Sequence, residues 1–358
     1  MTKEQIRQYD SQNMYDILLN FPKQIKDAVK IGKKSPTFNN PVKSKKFVVL
    51  GMGGSAIGGD LVKSFVSTLP DCKDVYMFIN RNYTIDFPIT EDTNIIVSSY
   101  SGNTEETLFA YEEAKEKTKN IICITTGGQL EELAKKDKFP VIKIPGGMQP
   151  RCAIAYSFFS VLYILINAKV FSKETLEIID ESIEDTQKVT EYIIEEYKEF
   201  KEDSLPLVFA NIASLLIPVF YASSDRLKPV AVRIQNQIHE NSKHIAFTNV
   251  LPEMNHNEIN SWKFPKLSKQ IFNIFLISDN DDDERTKLRT KATKKILNKY
   301  VQDRVLDLIG IGNTFLSRMF SLIIFGDWAS FCLAIEQKTD PTLIPAITKL
   351  KEILTKTK

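Results

Sequence analysis

Cysteine is scarce and scattered: the four in this 358-residue chain, Cys72, Cys123, Cys152 and Cys332, form no C-x-x-C pair. That spacing offers neither a disulfide framework nor a cysteine zinc site, and it points to reduced thiols in a reducing compartment. Histidine is scarcer still, with three residues and no H-x-H or H-E-x-x-H spacing, which leaves no metal motif to read. His239 and His244 stand five apart, an awkward separation for two ligands on one helix face. No excess of one charge is present either. The 47 basic and 45 acidic residues leave a net +2, which argues against a broad electrostatic surface for nucleic acid. Apolar runs such as FFSVLYILI at 158–166 stop well short of the ~20 residues that span a bilayer. The opening MTKEQIRQYDSQNMYD lacks the apolar segment of a signal peptide. These absences predict a cytoplasmic protein with no metal, nucleic acid or membrane in its work.

What is present is an ordinary globular composition, 43% hydrophobic and 26% charged, on a chain long enough for two packed domains. A helical segment is predicted at 1–35, with amphipathic spacing broken at Pro22. From KFVVLGM onward short apolar runs alternate with helical stretches. DVYMFIN, NIIVSSYSG, IICITTGG and FPVIKIP read as further strands, GDLVKSFVSTL and TEETLFAYEEAKEKT as helices. Such runs between helices are what a parallel sheet covered on both faces requires. The helical AIAYSFFSVLYILINAKVF closes this first α/β domain, set at 36–172, and a Glu- and Lys-rich connecting helix follows at 173–203. A second α/β domain fills 204–358, with PLVFANI, KQIFNIFLISD and DRVLDLIG as strands and helices at 283–299, 312–336 and 341–355. DDDE at 281–284 marks the start of one of these helices, where acids complement the dipole. The fold class is α/β: two doubly wound subdomains with central parallel sheets flanked by helices, and ligands at the carboxyl ends of the strands.

The stretch VVLGMGGSAIGGD at 48–60 is a strand breaking into a glycine loop. Gly51, Gly53 and Ala56 satisfy the G-x-G-x-x-A dinucleotide pattern, which calls for a carboxylate about 20 residues on, after the second strand. DVYMFIN instead runs into Asn80-Arg81-Asn82, with no carboxylate until Asp86, and no Gly-Lys-Ser/Thr follows the loop for a nucleoside triphosphate. SSYSGNTEET offers a different phosphate site. Ser99, Ser101 and Thr104 crowd hydroxyls around Gly102 just before a helix, with Asn103 and Glu106 in capping register. Hydroxyls and helix-start N–H groups make a neutral cradle suited to a phosphomonoester. A plain Ser/Thr turn accounts for that segment alone. Paired with Gly54-Ser55 on another strand end of the same sheet, it reads as one half of a phosphate site.

GMGGSAIGGD followed by SYSGNTEET resembles the SIS (sugar isomerase) domain, and together with later motifs the chain resembles the bifunctional phosphoglucose/phosphomannose isomerases from about residue 35 to 355. SYSGNTEET alone indicates only a sugar-phosphate domain, since regulators and synthases share it. The resemblance implies that Gly54, Ser55, Ser99, Ser101 and Thr104 hold a sugar 6-phosphate, with no cofactor. Moving a carbonyl between C1 and C2 needs a base for the carbon-bound proton, a stabiliser for the enediolate oxygen and groups that open the ring.

Glu240 in IHENSK and His256 in PEMNHNEI resemble the family's proton-transfer base and its ring-opening histidine, the latter given in the family by the partner subunit of a dimer. His239 stands where the family has asparagine, and Glu253 and Glu258 flank the histidine as alternative bases, though the resemblance places neither in that role. Arg151 in QPRCA resembles the arginine that steadies the intermediate, an always-charged group suited to an oxyanion. DPTLIPAITKLKEIL aligns Lys351 with the lysine at the ring oxygen, and Lys349 is its close rival. Ile344 and Pro345 lie where the family varies, which bears on tolerance of the C2 epimer. GDWASFCLAI at 326–335 resembles a family helix and reads as packing. The implied activity is interconversion of glucose 6-phosphate, and mannose 6-phosphate, with fructose 6-phosphate through a cis-enediolate. The alternative is a sugar-phosphate-binding regulator that keeps the cradle without the chemistry. A nicotinamide oxidoreductase is opposed by the missing carboxylate after DVYMFIN.

Overall fold

The structure is a computed structural model that describes residues 1–356. It forms two compact units, one of Asn20–Gln187 and one of Met1–Leu19 with Lys188–Lys358. The first carries five parallel strands in the order β2-β1-β3-β4-β5: β1 (Lys46–Leu50), β2 (Tyr76–Asn80), β3 (Asn94–Ser98), β4 (Ile121–Thr125) and β5 (Val141–Lys143). NIIVS and IICIT are buried along their whole length, as strands covered on both faces must be. Val48, Leu50, Ile95 and Val97 pack with Ala110, Tyr111 and Leu130 from the helices Glu105–Lys117 and Gly128–Lys136. On the other face helix Gly53–Val66 lies close, because Gly59 presents no side chain to Val49 and Ile79. Helix Ile154–Asn167 packs against it at Gly58, where an added Cβ would meet Ser157 Oγ at 2.1 Å.

The second unit holds four parallel strands in the order β7-β6-β8-β9: β6 (Ile217–Ala222), β7 (Phe247–Val250), β8 (Phe272–Ser278) and β9 (Val305–Ile309). Its strand order repeats that of the first unit without β5, so β6, β8 and β9 correspond to β1, β3 and β4. One face is sealed by Phe209, Phe220, Phe275 and Phe325, with ring centroids 5.1 to 6.0 Å apart. Helix Phe315–Glu336 runs through this unit, buried from Phe315 to Ile335. By length and hydropathy it would suit a bilayer, so the expectation that no segment reaches spanning length is corrected. The protein itself buries 94% of its apolar window.

Several boundaries differ from the pattern reading. PLVFANI lies in helix Leu205–Ala213, with Pro206 in its first turn, and the strand comes later as IPVFYA. So short an apolar-rich run suits either element by pattern, and in the structure Val208 and Asn211 face out at helical spacing while Leu207 and Phe209 are buried. Residues 1–35 do not form one segment. Tyr15 stacks among Phe200, Trp328 and Phe331 of the second unit. Helix Phe21–Lys33 belongs to the first, where Gly32 fits against the Tyr163 ring and Gln24 donates to Cys152 O at 2.9 Å. Pro22 therefore opens a helix instead of breaking one. In DDDE, Asp283 caps helix Glu284–Val301, accepting from Arg285 and Thr286 N–H at 2.9 and 3.0 Å.

Candidate active site

In the first unit the chain leaves β1 and β3 on adjacent carboxyl ends, the switch point of the sheet. Gly51 is there because a Cβ would come 2.8 Å from Ser98 O on the neighbouring strand. The helix then starts within the loop, at Gly53 with φ +48°, not after it as the sequence pattern suggests. Neither this helix start nor that of Glu105–Lys117, behind Thr104, has a side-chain cap, so two helix dipoles with uncapped first turns open on one sheet edge.

The two loops are bonded to each other. Tyr100 N–H donates to Ser55 Oγ at 3.2 Å, and Ser99 Oγ and Thr104 Oγ1 are 3.0 Å apart. Ser101 accepts from Asn103 N–H at 3.2 Å and stays exposed. Gly102 turns at φ +70° where a Cβ would overlap Gly127 O. Asn103 does not cap the helix: its Oδ1 accepts from Gln129 N–H at 3.0 Å and ties this loop to the one after β4. The third wall is the 3₁₀ turn Pro150–Cys152. A Cβ on Gly54 would lie 2.9 Å from Pro150 O and 3.5 Å from Arg151 Cα, so only glycine lets the arginine-bearing turn come this close. Arg151 is buried, and Met148 N–H donates to Tyr100 Oη at 3.3 Å. Gly54, Ser55, Ser99, Thr104 and Arg151 thus share one edge, with Ser101 on its rim. Tyr100 joins the walls and Gln24 ties the third to helix Phe21–Lys33; neither was singled out by the sequence.

The matching edge of the second unit is filled from within. Asp282 accepts from Ser223 Oγ at 2.5 Å, Asp279 N–H at 3.1 Å and Arg226 at 3.2 Å, taking there the place an anion would take. Asp279 in turn receives two bonds of 2.9 Å from Arg318. A phosphate would meet buried carboxylates here, so the neutral cradle belongs to the first unit.

The other sequence-selected residues stand in the second unit. Glu240 lies, half-buried, in a single π-helical turn, Ile238–Ser242, that follows helix Lys228–Gln237. His256 ends the short turn Glu253–His256 and is exposed. Lys351 and Lys349 are exposed on the helix Pro345–Lys356, where Lys349 pairs with Glu352 at 3.7 Å. These residues occupy three separate segments. His239 Nε2 accepts from Ala246 N–H at 3.2 Å, and His244 Nδ1 faces Gln337 Nε2 at 2.8 Å. Glu258 accepts from Tyr221 Oη and from Asn249, which pins the segment after His256 to β6 and β7. A cavity of about 230 Å³ beside Phe247, Trp262 and Phe272 lies near the amino ends of the strands; Glu258 lines it, and none of the residues that the resemblance selects does.

Residues 206–354 match the family described as the bacterial phospho-glucose isomerase C-terminal SIS domain. A bifunctional phosphoglucose/phosphomannose isomerase of Caldicellulosiruptor bescii is 41% identical over 353 residues, 96% of this chain and 100% of that protein. One of Aquifex aeolicus is 35% identical over 312 residues, 87% of this chain and 91% of that protein. Among solved structures, a hypothetical protein of Thermus thermophilus superposes with a TM-score of 0.74 at 16% identity. It covers 99% of this chain and 92% of that one, a likeness of fold alone.

Proposed function

The chain belongs to the bifunctional phosphoglucose/phosphomannose isomerase family, and from that premise we propose that it interconverts glucose 6-phosphate and mannose 6-phosphate with fructose 6-phosphate. The observation that carries the substrate class is the bonded pair of loops, Ser55 to Tyr100 N–H and Ser99 to Thr104, between two uncapped helix starts. Hydroxyls and N–H dipoles are gathered there, which suits a phosphomonoester. In this reading Gly54, Ser55, Ser99, Ser101 and Thr104 hold the 6-phosphate.

Lys351 handles the proton at the ring oxygen and His256 assists the opening to the free aldehyde. Glu240, as carboxylate, takes the proton from C2. The C–H electron pair forms the C1–C2 double bond and O1 gains negative charge, which Arg151 offsets. O1 takes up a proton, O2 releases one as it becomes the carbonyl, and Glu240 returns the carbon proton to C1. No electrons leave the sugar. In the reverse direction the planar enediolate takes its proton at C2 on one face to give glucose 6-phosphate and on the other to give mannose 6-phosphate. The working form in this proposal is a cytoplasmic homodimer in which His256 serves the site of the partner subunit. The division of labour is a phosphate-binding first domain and a second domain that carries the base.

A coupled assay on fructose 6-phosphate, reading both aldose products, tests this. Turnover to both is expected, with a loss of about 10²-fold or more in Glu240→Gln and no change on adding EDTA. Binding of fructose 6-phosphate without turnover would make the protein a sugar-phosphate-binding regulator. EDTA sensitivity would overturn the metal-free mechanism.

A further inference from the structure

The central helix Phe315–Glu336 is apolar almost throughout, yet it buries Asp327 and Ser330 where helix Lys228–Gln237 and the π-helical turn lie against it. Asp327 accepts two bonds from the Arg233 guanidinium, at 2.7 and 2.9 Å, and one from Gln237 Nε2 at 2.6 Å. Ser330 Oγ donates to Asp327 O at 2.9 Å and accepts from Asn241 Nδ2 at 3.0 Å. Arg233, Gln237 and Asn241 are spaced four apart along one row, and all five residues are at most 3% exposed. Gly326 lets the row approach, since a Cβ there would come 2.6 Å from Ile234 Cγ1.

A buried ionic cluster in an apolar helix is a poor source of stability, because its desolvation offsets most of the attraction. Its geometry suits another purpose. The π-helical turn sets Glu240 out of α-helical register, and such turns gather at functional sites. Gln237 is the last residue before that turn and Asn241 follows Glu240 directly, so the two anchors bracket the carboxylate. Ser242 Oγ closes the turn on Ile238 O at 2.7 Å, and Lys243 ends it at φ +52°.

We propose that Asp327 and Ser330 are positioning residues for Glu240: through Gln237 and Asn241 they fix the direction in which the turn presents its carboxylate. The inference rests on the assignment of Glu240 as the base. It goes beyond the packing role that the sequence suggests for GDWASFCLAI.

Ser330→Ala removes the tie to Asn241, and Gln237→Met removes the tie to Asp327. Both nearly keep volume and leave Arg233 and Asp327 paired. Steady-state kinetics are measured with glucose 6-phosphate and with its C2-deuterated form, referred to folded protein by circular dichroism. Each variant is expected to lower kcat roughly tenfold with KM within about twofold, since displaced catalytic groups lose rate before they lose binding. The deuterium isotope effect on kcat rises, because proton removal becomes more fully rate-limiting. Wild-type kcat in both variants overturns the proposal. So does a lower kcat with an unchanged isotope effect, the signature of a partly unfolded sample, because the isotope effect reads only active molecules. Wild-type protein that turns over no sugar 6-phosphate, or an active Glu240→Gln, brings down the underlying reading as well, and the same assays show it separately.

Discussion

Gly54 and Ser55 are where the glycine loop meets the other two walls of the cradle. A Cβ at Gly54 has to displace backbone at Pro150, and with it Arg151. Gly54→Ala should therefore lower kcat by roughly 10- to 10²-fold through a misplaced arginine, measured as initial rates on fructose 6-phosphate. Ser55→Ala removes the acceptor for Tyr100 N–H and, in the proposed reading, a donor to the phosphate. A hydrogen bond to a charged group contributes ~1.5–3 kcal/mol, so KM should rise about tenfold or more with kcat less affected. An unchanged KM would remove Ser55 from the site. These residues stood out in the sequence only because the glycine loop and SSYSGNTEET pair at strand ends of one sheet. Asn103 was misread, because its bond runs to Gln129, which is distant in sequence.

At the scale of elements, the turn that carries Glu240 was invisible to pattern. VRIQNQIHENSK has one continuous helical spacing, and the π-helical turn arises from buried bonds to another helix. PLVFANI failed because so short an apolar-rich run suits helix and strand alike. The strands of the first unit were readable because each apolar run is short and bounded by turn residues, and β1, β3 and β4 lead into helices. His244 carries a prediction here. Burial holds its pKa below the usual value against the opposing bond to Leu216 O, 3.3 Å from Nε2, while Gln337 faces Nδ1. The unfolded chain takes up this proton near pH ~6.5 and the folded one only at lower pH. Its stabilising contribution is complete above that range and is lost as pH falls through it. Wild-type Tm should drop more between pH 7 and 5 than that of His244→Gln; equal slopes would contradict the assignment.

At the scale of the whole molecule, two sheets of one strand order carry opposite edge chemistry: hydroxyls and N–H groups in one, buried carboxylates in the other. The sequence predicted two doubly wound subdomains and a glycine loop at 48–60. It did not reveal that Asp282 occupies the second edge, because DDDE reads equally well as a helix start. The second unit depends on the aromatic set around Trp328, with Tyr15, Tyr197, Phe200 and Phe331 at 5.7 to 6.5 Å. Trp328→Ala should cost about 3–5 kcal/mol in chemical denaturation. The most direct test of the central claim is turnover of fructose 6-phosphate in D₂O, followed by NMR of the products. Deuterium at C2 of both glucose 6-phosphate and mannose 6-phosphate, slowed about 10²-fold or more in Glu240→Gln, is the predicted result. Aldose formed by Glu240→Gln at the wild-type rate, or none formed by the wild type, would contradict it.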